Sequence, residues 1–180
     1  MHATTICVAR RGPEVAIGGD GQVSRGHTIL KGNANKIRTL HNDQVITGFA
    51  GSVADAFTLF DLFESFLNQH QGDLTKAAIA QAKAWRSDKF LRQLDALMIV
   101  ADSQHTYILT GTGDVIEPEG DVAAIGSGGD YARSSALALH RHTSLSPEDI
   151  VRHSLTIAGD ICLYTNHHIN IKTLGQKQKG

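Results

Sequence analysis

The residues best suited to chemistry lie in the first third of the chain. Thr4 and Thr5 open a run rich in β-branched residues, Gly18-Gly19-Asp20-Gly21-Gln22 makes a turn at the end of the next such run, and Lys36 begins another. Gly48-Phe49-Ala50-Gly51-Ser52 then joins a fourth run to a helical pattern. A threonine hydroxyl is a weak nucleophile until a base takes its proton, and an N-terminal residue carries that base itself, because an α-amino group titrates at roughly 7.7–8. A lysine beside the hydroxyl favours its deprotonated form, and a carboxylate beside the lysine keeps the ammonium charged and oriented. These are parts that a hydrolase could use. Taken singly, each has a plainer explanation: a threonine suits a strand, an aspartate between glycines suits a turn, and a lone lysine suits a surface.

Other familiar signatures fail. Gly126-Ser127-Gly128-Gly129-Asp130-Tyr131 follows a strand pattern and opens a helical one, but Tyr131 stands where a dinucleotide-binding loop needs its third glycine. No stretch reads G-x-x-x-x-G-K-[ST], so the chain carries no recognisable phosphate loop of its own. Ser127 is not a nucleophile elbow, since Ile125 occupies the first glycine's place. The chain has 10 histidines but no H-E-x-x-H, and neither His140 with His142 nor His167 with His168 has the i, i+4 spacing that puts two imidazoles on one helix face. They read as surface histidines.

Elements must bring these residues together. Residues 4–10, 14–18, 36–40 and 44–50 read as strands, bounded by Gly, Asn or Pro. From Ser52 the period changes to helical, with Ser52 and Asp55 forming a capping-box pattern and the helix running to about His70. Asp73 caps a second helix that extends through Phe90. Strand patterns return at 96–101, 105–110, 115–116 and 122–125. One more helix starts near Asp130, and another at Ser146-Pro147-Glu148-Asp149, where cap, N1 proline and acidic first turn coincide. A last strand at 169–174 precedes a polar tail expected to fray. Strands, two helices, strands, two helices, strand is not the alternation of a parallel sheet. It predicts two antiparallel sheets with helices packed outside, a layered αββα sandwich.

Composition narrows the function classes. At 180 residues the chain has the size of one domain, and 41% hydrophobic with 19% charged residues is a globular composition. With 17 basic against 18 acidic side chains there is no footprint for nucleic acid; the Arg25 to Arg38 scatter and the tail lysines Lys172, Lys177 and Lys179 read as solvated surface. Cys7 and Cys162 are too few for a disulfide scaffold or a cysteine zinc site, which fits a reducing, cytoplasmic setting. No apolar run approaches the ~20 residues of a membrane helix, and the start lacks a signal-peptide pattern.

A set of segments in order along nearly the whole chain is more specific than any one motif: Thr4-Thr5-Ile6, Gly19-Asp20-Gly21-Gln22, Lys31-Gly32-Asn33 with Lys36, Gly48-Phe49-Ala50-Gly51, 54–60, Ile125-Gly126-Ser127-Gly128-Gly129 and 158–166. Through them the chain resembles the HslV family, the peptidase subunits of the bacterial two-component, proteasome-like ATP-dependent protease. The resemblance implies an N-terminal-nucleophile (Ntn) hydrolase with the four-layer αββα sandwich, in the α+β class. It implies Thr4 as nucleophile with its freed amine as base, Lys36 easing deprotonation, Asp20 orienting Lys36, Ser127 in the amine's proton network and the Gly48 N–H as oxyanion donor. Register favours Thr4 over Thr5, whose side chain then points to the other strand face. Backbone oxygens of Gly159, Cys162 and Thr165 are implied to hold a sodium ion. The implied partners are further copies of the chain in two stacked hexameric rings, the AAA+ unfoldase HslU, which supplies nucleotide hydrolysis and activates the peptidase allosterically, and unfolded protein substrates.

One departure stands out. His2 and Ala3 separate Met1 from Thr4, and His2 is too large for ordinary methionine trimming. Residues 1–3 are therefore expected to be a short propeptide ahead of a single peptidase domain, 4–180. If Thr4 stays blocked, the alternative is an inactive ring scaffold of the same fold. A phosphate-binding module built on Gly126 to Gly129 at a helix N-terminus is a second rival.

Overall fold

A computed structural model of the chain describes residues 4–175. The expected propeptide, residues 1–3, and the polar tail from residue 176 lie outside the described residues. The first half runs β1 (Thr5–Arg11), β2 (Glu14–Asp20), β3 (Val23–Arg25), β4 (Thr28–Lys31), β5 (Ile37–Leu40), β6 (Val45–Ala50), α1 (Val53–Gln69) and α2 (Leu74–Ser87). A 3₁₀ turn at Leu91–Gln93 leads to β7 (Leu97–Ala101), β8 (Thr106–Thr110), β9 (Val115–Ile116), β10 (Val122–Gly126), α3 (Gly129–His142), α4 (Pro147–Ile161) and β11 (Ile169–Leu174).

The strands form two larger antiparallel sheets, ordered β10-β1-β2-β11 and β5-β6-β7-β8-β9. Their inner faces meet through Ile6, Val8, Ile17, Ile37, Ile46 and Ile99. The period-2 alternation of strands sends the neighbouring β1 side chains, Cys7 and Ala9, outward against α3 and α4 together with Ala132, Val151 and Leu155. On the far side Phe49, Met98 and Leu109 pack against the α1 stripe of Leu59, Phe60 and Phe63 and against Trp85 of α2. The layering is αββα, as the element order predicts. Small residues set the spacing: a Cβ at Gly18 would lie 2.5 Å from Val151 Cγ1, so the close seating of α4 on β2 depends on that glycine.

The helix starts are where the sequence puts them. Ser52, Asp73 and Ser146 each accept the N–H of the third residue of their helix, from Asp55, Lys76 and Asp149. Two expectations change. The second helix ends at Ser87 instead of reaching Phe90, because Asp88 turns extended and its Oδ1 accepts the N–H groups of Phe90 at 2.8 Å and Leu91 at 2.9 Å, starting the separate 3₁₀ turn. Between β2 and β5 an extra hairpin, β3-β4, lies outside the two sheets with β4 wholly exposed. Among the described residues no helix is long and apolar enough to cross a membrane.

Candidate active site

Thr4 immediately precedes β1 at its junction with β10 and is fully buried. Its carbonyl accepts the Ser127 N–H at 3.1 Å. The approach is tight: Gly126 has φ +94°, and a Cβ there would fall 1.8 Å from the Thr4 oxygen, so only glycine lets β10 end against the nucleophile candidate. Lys36 sits just before β5, where Ile37 pairs with Gly48 in β6. Lys36 Nζ donates to Thr4 Oγ1 and, at 2.9 Å, to the Gly51 carbonyl.

Asp20 ends β2, only 1% exposed. Its carboxylate accepts from the Thr5 N–H at 2.7 Å, the Gln22 N–H at 3.1 Å and the Asn166 N–H at 3.0 Å. Burial pushes the Asp20 carboxyl up, and those three N–H groups and the Lys36 charge pull against it. Burial likewise lowers the Lys36 amine from 10.5 to about 8, with Asp20 opposing the shift. The two groups thus act on one another through charge, while the direct bonds of the carboxylate go to backbone.

The structure brings Thr4, Asp20, Lys36 and Ser127 together. Ser127 Oγ is buried and has no hydrogen-bond partner among the described residues, while its backbone N–H reaches the Thr4 carbonyl. Gly48 is not brought there, and its expected role is corrected. It lies mid-strand in β6 between β5 and β7, where its missing side chain admits Ile6 Cγ2 to 2.6 Å of where a Cβ would be. Phe49 N–H donates to the Lys36 carbonyl on the β5 side, so the alternation of an antiparallel strand turns the Gly48 N–H to β7. Three residues on, Gly51 stands beside Lys36 Nζ. Sequence reasoning missed this because both glycines lie in one Gly48-Phe49-Ala50-Gly51 motif, and only strand pairing separates an interior position from a terminal one.

Gly159, Cys162 and Thr165 follow one another around the C-terminal turn of α4. Cys162 N–H bonds the Ala158 carbonyl, and the Cys162 carbonyl accepts from Thr165 N–H at 3.1 Å. The last turn of any helix leaves carbonyls without helical partners and with partial negative charge, so the oxygen donors suit a hard cation. Among the described residues no cluster of three His, Cys, Asp or Glu side chains competes as a metal site. Thr165 also does something the sequence did not reveal: its buried hydroxyl lies 2.8 Å from Thr5 Oγ1.

Comparison with known proteins bears on this geometry. The proteasome-subunit family matches residues 1–174. The crystal structure of eukaryotic HslV from Trypanosoma brucei superposes with a TM-score of 0.90 at 40% identity, covering 96% of this chain and 99% of that one. The chain belongs to the proteasome family, in its HslV branch. Within that family its fold is the Ntn-hydrolase αββα sandwich, and the general activity that comes with it is that of a threonine-type peptidase. Thiobacillus denitrificans BPH, at 17% identity and a TM-score of 0.74, covers 97% of this HslV-type chain and 100% of its own. A second structure of BPH, in complex with epoxomicin, matches at 18% identity and a TM-score of 0.73 over 94% of this chain and 97% of that one. At such identities BPH speaks to the fold alone.

Proposed function

We propose that this HslV-type chain is the peptidase subunit of an ATP-dependent protease, with Thr4 as its nucleophile. The observation that carries the reading is the buried hydrogen bond from Lys36 Nζ to Thr4 Oγ1 in a family of threonine peptidases. Thr4 Oγ attacks the carbonyl carbon of the scissile peptide, and its proton passes to the freed α-amine of Thr4 and then to the leaving amine. The acyl ester left on Oγ is hydrolysed by water with the same amine as base. Lys36 steadies the developing alkoxide, Asp20 steadies Lys36, and Ser127 Oγ supports the amine. The N–H of Gly51, whose carbonyl accepts from Lys36 Nζ, replaces Gly48 as the oxyanion donor. One preorganised donor of this kind is worth about 3–4 kcal/mol, and general-base help about 10²–10⁴-fold.

Thr4 must first become N-terminal. Its Oγ attacks the Ala3 carbonyl, the Ala3–Thr4 C–N bond breaks to give a free amine, and water cleaves the resulting ester to release residues 1–3. The remaining assignments rest on family membership: two stacked hexameric rings in the cytoplasm, activation by the AAA+ unfoldase HslU, unfolded proteins as substrates, and a sodium ion on the carbonyls of Gly159, Cys162 and Thr165. The sodium ion would supply positive charge that neutralises the α4 terminus and orders the turn behind the site. Mass spectrometry of the active protein is the test. A chain beginning at Thr4, with turnover of a small fluorogenic peptide that needs HslU and ATP and is lost in Thr4→Ala, is expected. An active chain that still begins at Met1 would refute the mechanism.

A further inference from the structure

Four stretches of chain supply the candidate site: the start of β1 with Thr4, the end of β2 with Asp20, the approach to β5 with Lys36, and the turn before α3 with Ser127. Sheet pairing aligns β1 with β2 and with β10, but the 32–36 stretch and the 127–128 turn are loops whose position strand pairing leaves open. Two consecutive residues after α4 hydrogen-bond to three of these stretches directly and reach the fourth, the Ser127 turn, through Thr5.

Thr165, 4% exposed, shares its hydroxyl with Thr5 Oγ1 at 2.8 Å, and the same Thr5 oxygen accepts the Gly128 N–H at 2.8 Å. That joins the nucleophile strand to the Ser127 turn. Packing leaves no slack, since a Cβ at Gly128 would lie 2.5 Å from Thr5 Oγ1 and 2.6 Å from Thr165 Oγ1. Asn166 reaches the other two stretches. Its N–H donates to Asp20 Oδ2 at 3.0 Å, its Oδ1 accepts the Gly21 N–H at 3.1 Å and the His168 N–H at 3.1 Å, and its Nδ2 donates to the Gly32 carbonyl at 2.8 Å. The partners fix the amide's orientation, because only the oxygen can accept two N–H groups and only the nitrogen can donate to a carbonyl.

We propose that Thr165 and Asn166 form a positioning clasp, which holds the nucleophile strand, the Asp20 turn, the Lys36 stretch and the Ser127 turn in the register that the peptidase reaction needs. Neither side chain touches the reacting atoms; each acts through the segments it ties. The inference rests on the peptidase reading above. It is separate from the cation, which would use the Thr165 carbonyl, whereas the clasp uses the hydroxyl.

The test is steady-state turnover of a small fluorogenic peptide by the mature protein with HslU and ATP, in Thr165→Val, Asn166→Ala and Asn166→Asp, with melting midpoints measured alongside. Thr165→Val keeps shape and carbonyl and removes only the hydroxyl. Asn166→Asp keeps shape and the acceptor for Gly21 but faces the Gly32 carbonyl with an oxygen. Misplacement of reacting groups by about 1 Å costs on the order of 10²-fold, so kcat is expected to fall about 10- to 100-fold with KM changed by less than about threefold. Parent-like kcat in either Thr165→Val or Asn166→Ala would overturn the clasp, as would a fall in rate matched by an equal fall in folded protein. Parent turnover that survives Thr4→Ala would instead overturn the peptidase reading itself, and the clasp with it.

Discussion

At Lys36 two demands conflict. Burial favours a neutral amine, while Asp20 favours a charged one, and the balance leaves the amine at about 8, below its ordinary 10.5. The unfolded chain therefore holds this proton more tightly than the folded one between those values. Below about pH 8 the fold carries the full cost of the buried charge, and the cost disappears as pH rises through 10.5. Lys36→Met is expected to abolish turnover yet unfold at equal or higher urea concentration than the parent at pH 7, with that advantage shrinking by pH 10. A variant less stable than the parent at pH 7 would contradict it. Asp20→Asn removes the charge that keeps the amine protonated, so residual activity should fall off on the alkaline side at lower pH than the parent's, read from kcat across pH 6–10. Thr4, Asp20 and Lys36 each stand at the edge of a strand run but have an ordinary explanation taken singly, so it was the family resemblance that singled them out. Gly51 and Asn166 were not legible, because a backbone carbonyl and an amide leave no trace in sequence until strand pairing says where they point.

At the scale of elements, the caps at Ser52, Asp73 and Ser146 made the helices legible, and alternation of Ile6 and Val8 with Cys7 and Ala9 made β1 legible. The β3-β4 hairpin was missed for the converse reason: β4 is exposed along its whole length, so no buried face imprints a period on Thr28–Lys31. The β10 terminus offers a sharp test of how elements seat the site. Gly12 has φ +57° and open space, with nothing within 4 Å of where a Cβ would stand, whereas Gly126 combines φ +94° with the Thr4 carbonyl at 1.8 Å. Gly12→Ala should cost about 1 kcal/mol, the ordinary cost of a left-handed residue. Gly126→Ala should cost far more and take turnover with it, measured by urea unfolding and peptide hydrolysis. Equal costs at the two positions would show that the β10 end does not grip Thr4.

For the whole molecule, four layers were predictable from the order of elements, whereas the proposed ring assembly rests on family resemblance alone. Ring formation predicts a sedimenting particle many times the 19.3 kDa of one chain, and a species of that single mass under active conditions would count against it. The layering also leaves a reporter in place. Cys7 lies at the joint between β1 and the α3-α4 layer, fully buried, with its thiol pushed up to about 12 by burial. A thiol that meets no solvent and does not ionise at neutral pH is silent to alkylating reagents while that joint is shut. Its labelling rate is therefore a stopwatch for the lifting of helices from sheet, carried by the chain itself and needing no engineered probe.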